Sequence, residues 1–311
     1  MRASLLVERL EPPTGLVDVV LDTDTFNDID DQFAVVYAML AKNHVALQAI
    51  YAAPFHNLRS SSPEDGMRKS LEEIERLLQR LGDRPSGGVL PGSTRWLTGS
   101  AGPEVSPAAT DLIERALAAS PPLYVLACGA ITNVASALQI EPAIADKIVV
   151  VWVTGNPQSH PNAADFNIKQ DPDAARFLFD CGVPLVHIPC VNVAKHLRIS
   201  LPELAAYARD VSPIGEYLYE IVSDHIGEDS FGVTRVIHDI APVAWVINPD
   251  WLPSRLVASP ILTERMTWSI NGYRHLIREC DGLKRDTIFR DFFALLKGAA
   301  SLQPERVSTR V

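Results

Sequence analysis

Short apolar runs alternate with stretches of helical periodicity along most of this chain, and that alternation leaves few folds open. Residues 16–21, 45–52, 123–127, 148–153 and 184–188 read as buried strands, while 31–41, 63–81, 107–119, 132–138 and 172–181 carry the repeat of helices. Strands separated by helices pair in parallel, because a crossover helix returns the chain to the same end of the sheet. The expected fold class is therefore α/β: a Rossmann-like, mostly parallel central sheet flanked by helices. Ligands in such sheets bind outside the carboxyl ends of the strands.

The first strand ends in a concentration of charge. Asp22, Asp24, Asp28, Asp30 and Asp31 crowd into the end of that strand and the start of the next helix. Capping by Asp24, Asn27 or Asp28, and the attraction of acids to a helix N-terminus, account for one or two of them. Five carboxylates repel one another unless a cation sits among them, and clustered oxygen ligands suit a hard divalent ion such as Ca²⁺ or Mg²⁺.

Composition narrows the partner. The 311 residues carry a formal net charge of −10, which argues against a nucleic-acid surface and leaves a neutral small molecule, such as a free nucleoside, fully compatible. No apolar run approaches the ~20 residues of a membrane helix. Glu8 and Arg9 interrupt the apolar start of the chain, which makes a poor secretory signal. Cys128, Cys181, Cys190 and Cys280 lie far apart without CxxC spacing and read as thiols in a reducing compartment. A cytoplasmic enzyme is the expectation. The length allows one α/β domain or two smaller ones, and no repeat, low-complexity tract or long linker interrupts it.

Residues 60–65 and 86–106 are rich in Ser, Gly and Pro and read as loops, the first well placed to border a site. Residues 199–229 read as helical and carry Tyr207, Tyr217, Tyr219 and His225. These form a lid or wall over an aromatic ligand or, more simply, pack the helices together.

Three further segments combine with the acids. Residues 123–134 read as a strand, a glycine turn at Gly129 and a helix with Thr132 or Asn133 near its cap; the turn exposes backbone carbonyls, which are good ligands for hard cations. Asp165 and Asn167 flank Phe166, taken as buried, at alternating positions, an arrangement suited to adjacent sugar hydroxyls, while Asp171 opens the next helix. His238 and Asp239 start another apolar helix, where they either cap and fill or close a metal shell.

Taken in this order, these four segments resemble the inosine-uridine-preferring nucleoside hydrolase family. The likeness runs over about residues 17–293, and 274–277 with 285–289 are similar to that family's C-terminal strand and helix. It implies a single nucleoside hydrolase-like domain over residues 1–311, with a helical segment near the active site. Asp22, Asp24, Asp30 and Asp31 match the acids of its D-x-D-P-G-x-D-D opening; Cys128-Gly129-Ala130-Ile131-Thr132-Asn133 matches T-G-P-L-T-N; Asp165-Phe166-Asn167 matches E-F-N; and His238-Asp239 matches H-D. The resemblance implies Asp24 as general base and metal ligand, Asp31, Asp239 and the Cys128 carbonyl as further ligands, and Asp30, Asn57, Asp165 and Asn167 as ribose contacts. His238 would stand beside the leaving base. The implied reaction is hydrolysis of the N-glycosidic bond of a ribonucleoside by a Ca²⁺-bound water that Asp24 deprotonates, with protonation of the base by His238 or a helical Tyr. The family's tendency implies a homodimer or homotetramer.

The chain also departs from the pattern. Two extra residues separate Asp24 from Asp30 and Pro-Gly is missing, so Asn27 or Asp28 enters or reshapes the site; Asp165 is one methylene shorter than the family's Glu; and Val153-Thr154-Gly155-Asn156 replaces M-G-G. Two other readings stand beside this one. Asp22-Thr23-Asp24-Thr25 fits the D-x-D-x-T opening of a haloacid-dehalogenase-type Mg²⁺ phosphatase, with Asp22 as nucleophile, although the Lys and G-D-x-x-x-D motif of that family are not found in place. A non-catalytic nucleoside or ribose binder is the other, and a retained set of Asp24, Asp31 and Asp239 argues against it.

Overall fold

The computed structural model describes residues 3–99, 102–120, 122–228 and 230–301. Residues 100 and 101 of the expected loop and Asp229 of the expected helical region lie outside the described residues. The elements in chain order are α1 (Ala3–Arg9), β1 (Val17–Thr23), α2 (Asp31–Leu40), β2 (Val45–Ala52), α3 (Pro63–Leu81), β3 (Val89–Pro91), α4 (Pro107–Ala118), β4 (Leu123–Ala127), α5 (Thr132–Ile140) and β5 (Ile148–Val153). The second half follows with α6 (Phe166–Gln170), α7 (Pro172–Asp180), β6 (Leu185–Ile188), β7 (Arg198–Ser200), α8 (Leu201–Tyr207), α9 (Pro213–Ile226), β8 (Thr234–Val236), α10 (Ile240–Ile247), β9 (Ser254–Ala258), β10 (Ile261–Leu262), β11 (Trp268–Ser269), β12 (Leu276–Cys280) and α11 (Arg285–Ser301).

Eight strands form one sheet in the order β3-β2-β1-β4-β5-β6-β12-β9. All neighbours pair in parallel except β9, which runs antiparallel to β12 at the edge. The α/β expectation holds. Alternating side chains divide the core into two layers. Val19, Leu21, Val149, Val151 and Val153 face α2, α10 and α11, where Phe33, Trp245 and Phe292 are buried. Val20, Val125, Val150 and Trp152 face α4, α5 and α7. Phe292 of α11 packs tilted against Phe33 and meets Tyr37 edge-on at 5.5 Å, so the last helix belongs to the first layer.

Several boundaries move. The first strand runs to Thr23 rather than 21, which places Asp22 inside it and Asp24 at its mouth. Val89–Pro91, read as loop, adds an edge strand. Residues 199–229 start with the short β7, which pairs with β8, before α8 and α9 begin. At the amino end, α1 delivers the Leu10 carbonyl to the guanidinium of Arg278 on β12, Nε at 2.5 Å, and both residues are buried. Gly66 lets α3 approach the chain after β2, because a Cβ there would lie 1.9 Å from the Phe55 carbonyl oxygen. No helix among the described residues is long and apolar enough to cross a membrane.

The strand order reverses direction at β1, whose successor β2 lies on one side and β4 on the other. That switch point opens a crevice at the carboxyl ends of β1 and β4.

Candidate active site

The crevice is a cavity of about 630 Å³ lined by Asp24, Asp30, Asn57, Cys128, Asp165, Asn167, His238 and Asp239. Each reaches it from a turn that follows a strand or opens a helix. Asp31, the first residue of α2, stands behind them, fully buried, with one carboxylate oxygen on the Thr23 hydroxyl. Carboxylate oxygens of Asp30, Asp31 and Asp239 lie within 4.8 Å of one another.

These acids differ in how they are satisfied. Asp30 occupies the N-cap position of α2 yet caps nothing; it accepts instead from the His238 amide at 3.1 Å and pairs with His238 Nδ1 at 3.0 Å. Burial opposes its charge, but the bond and charge of His238 prevail and hold Asp30 below the ordinary carboxylate range. Asp24 is the opposite case: both its oxygens are buried and, among the described residues, neither has a hydrogen-bond donor. Burial and then the charges of Asp31 and Asp30 raise its carboxyl well above the usual range. Burial and neighbouring carboxylates likewise raise Asp239, and push Asp31 up to about 8. Orphaned, mutually repelling oxygens are what a divalent cation neutralises, so the donor set fits such an ion.

The departures from the family pattern enter the cavity. Asn27 and Asp28 line it. Asn57 Nδ2 donates to the side-chain oxygen of Asn27 at 2.7 Å and to its carbonyl at 3.2 Å, tying the loop after β2 to the loop after β1. Asp28 sits between His225 and Arg235, 3.5 Å from each.

The second segment holds and the third needs correction. Thr132 and Asn133 stand next to the Ile131 N-cap of α5, as expected, but their side chains turn elsewhere. Thr132 donates to Asp171, and Asn133 Nδ2 donates to Asp22 at 2.7 Å. Asp22, pushed up to about 7 by burial, is a strut beneath the site and does not line the cavity. Phe166 is 37% exposed rather than buried. It opens α6, so strand alternation does not apply; Asp165 caps that helix through the Ile168 amide at 3.0 Å, and Asn167 Nδ2 donates to the Cys128 carbonyl at 2.7 Å. A carbonyl oxygen accepts twice, so the Cys128 oxygen retains a lone pair.

The tyrosines of the helical region pack as the simpler reading expects. Tyr207 meets Phe293, Tyr217 donates to the buried Glu73 at 2.5 Å beneath Arg80, and Arg209 lies over Tyr219. His225 does line the cavity, as do Asn156, His160, Cys190 and Lys195, which sequence reasoning missed as site residues. Asn156 and Cys190 follow the ends of β5 and β6, so the carboxyl-end rule could have found them.

Fold and site together define an α/β enzyme with a carboxylate-lined pocket for a small molecule at a parallel-sheet switch point. The pattern described as inosine-uridine preferring nucleoside hydrolase matches residues 19–280. The chain belongs to that family and is an N-ribohydrolase. Among curated relatives, the pyrimidine-specific ribonucleoside hydrolase RihA of Citrobacter koseri is 28% identical over 260 residues, covering 75% of this chain and 80% of its own. That of Salmonella typhimurium is 27% identical over 257 residues, with the same coverage of 75% and 80%. Among solved structures, the purine-preferring ribonucleoside hydrolase from Gardnerella vaginalis superposes with a TM-score of 0.70 at 19% identity, covering 92% of this chain and 100% of that one. The inosine-uridine preferring nucleoside hydrolase from Bacillus anthracis gives 0.71 at 16% identity, covering 91% and 100%. At such identities the structural likeness speaks for the fold alone.

Proposed function

We propose that the chain cleaves ribonucleosides to ribose and free base with Asp24 as general base and Ca²⁺ as its ion. The observation that carries this is the Asp24 carboxylate, buried at the cavity with no donor among the described residues on either oxygen, beside the converging Asp30, Asp31 and Asp239. Asp24, Asp31, Asp239 and the Cys128 carbonyl would hold the ion, whose chemistry is to acidify water and grip vicinal hydroxyls. Asp30 is already engaged by the His238 amide and ring Nδ1, which supports giving it to the ribose rather than to the ion. Asp24 takes a proton from the attacking water as oxygen bonds to the anomeric carbon. Asn57, Asp165 and Asn167 orient the sugar, and His238 delivers a proton to the nitrogen released when the glycosidic bond breaks.

The region 17–293 is read as one catalytic unit within a single domain, supported by the continuity of the sheet from β3 to β9. The same reading has the chain acting on free nucleosides in the cytoplasm as a homodimer or homotetramer, which light scattering on the purified protein tests. A phosphatase reading is poorly supported, since its nucleophile, Asp22, is bonded to Asn133 and lies off the cavity.

Release of reducing ribose from a panel of purine and pyrimidine ribonucleosides tests the proposal, with Asp24→Ala and a Ca²⁺ chelator as controls. The names of the curated relatives put pyrimidine ribonucleosides first on the panel. Ribose release that vanishes in the variant and under chelation is expected. Phosphate release from a phosphomonoester in its place, or Ca²⁺ binding with no turnover, would overturn it.

A further inference from the structure

Three neighbouring strands meet beneath the cavity wall at His187. Its register partners are Trp152 on β5 and Glu279 on β12. It is fully buried, with Phe179 and Trp268 edge-on at ring-centroid distances of 5.6 and 6.2 Å. Nδ1 lies 3.2 Å from Oε2 of the buried Glu279, and Nε2 lies 2.9 Å from the Thr154 carbonyl oxygen. A carbonyl only accepts, so Nε2 is the ring's donor to Thr154, while Nδ1 faces the Glu279 carboxylate. Neither residue touches the cavity. A buried His–carboxylate pair is a poor way to strengthen a sheet that apolar side chains would pack as well. Its outward effect is to fix Thr154.

Thr154 passes that constraint on. Its hydroxyl donates to Oδ1 of Asp165 at 3.0 Å, the same oxygen that takes the Ile168 amide at 3.0 Å. Oδ1 thus has two donors. Oδ2, whose partner among the described residues is the Cys190 thiol at 3.4 Å, is the oxygen left for a substrate hydroxyl. The segment cannot slide: Gly155 has φ +60°, a Cβ there would meet Ile168 Cδ1 at 2.8 Å and the Ala163 oxygen at 2.9 Å, and Trp268 Nε1 donates to the Asn156 carbonyl at 2.9 Å.

We propose that Glu279, His187 and Thr154 are positioning residues that hold Asp165 Oδ2 against one ribose hydroxyl, and that this line makes up for an acid one methylene shorter than the family pattern. The proposal rests on the reading of Asp165 as a ribose contact, and the experiment separates the two.

The measurement is kcat/KM on a parent ribonucleoside and its 2′-, 3′- and 5′-deoxy analogues, with inhibition constants where an analogue turns over too slowly. Asp165→Ala identifies the hydroxyl, by abolishing the preference for it. Thr154→Val is then expected to lower kcat/KM on the parent about tenfold, mainly through KM, and on the analogue lacking that hydroxyl by less than about twofold. Thr154→Ser restores the loss. His187→Phe combined with Glu279→Leu, which strands no charge, is expected to reproduce the hydroxyl-specific loss, with no further loss when Thr154→Val is added. An equal fall on every analogue, or no fall in Thr154→Val, overturns the positioning line; if the double variant does not fold, the two Thr154 variants decide. Unchanged hydroxyl preferences in Asp165→Ala would overturn the ribose reading instead.

Discussion

Asp24 and Asp30 stand six residues apart in one acidic run, yet the structure treats them as opposites, one orphaned and raised, the other paired and lowered. That contrast assigns them different work. Asp24→Asn keeps the shape and removes the base, so kcat is expected to fall by about 10²–10⁴ at saturating Ca²⁺, read as ribose release. His238→Gln removes the ring nitrogen that pairs with Asp30, so KM for the ribonucleoside is expected to rise along with a fall in kcat. The acids were legible in the sequence because no folding need explains five carboxylates in a row of ten. Cys190 and Lys195 were not, since a lone polar residue after a strand resembles any other until the fold brings it to the cavity. The error at Phe166 has a local cause. A helix opens where alternation was assumed, so Asp165 serves as its cap, and its orientation follows from that rather than from a strand.

Among the elements, α5, α7 and the chain at 97–98 are joined by Asp171. Its carboxylate accepts from the amides of Leu97, Thr98 and Ala174 and from the hydroxyls of Thr98 and Thr132, and it is buried. Sequence reading made it the cap of α7 and no more. Asp171→Ala is expected to cost about 3 kcal/mol or more, because buried donors lose their acceptor as well as the cap, and urea denaturation measures it. Long periodic helices such as α3 matched their expected limits, with Ser62 capping the start and Gly82, at φ 67°, ending it. The edge strand β3 escaped notice because three residues show no period, and what makes it a strand is its pairing with β2.

For the molecule as a whole, the crowded acids make stability depend on pH and on metal together. Asp22 and Asp31 are raised to about 7 and about 8 from an unfolded value of 3.8, so between those limits the folded state binds more protons than the unfolded one. The stability they contribute is fully present below 3.8 and is lost as pH rises through 7 and 8. Metal-free protein is therefore expected to melt at lower temperature as pH rises from about 5 to about 8.5, with Ca²⁺ raising the melting temperature most at the upper end, because the ion replaces protons among the carboxylates. A thermal scan with and without chelator across that range checks it; a rise with pH in the chelated protein would sink the idea.

The stretch the family pattern matches, 19–280, is shorter than the stretch that packs the fold. Arg278 lies inside the shared stretch, but the oxygen its Nε holds belongs to Leu10, nine residues before that stretch begins, and Phe292, twelve residues after it ends, fills the layer behind β1. Kinship and stability thus draw different borders on the same molecule. A chain trimmed to begin at 17 would keep every catalytic group and strand a buried guanidinium, at a cost of at least about 2 kcal/mol in urea denaturation. Its ribose release, tested cold, would remain, and the enzyme would die of heat long before it lost its chemistry.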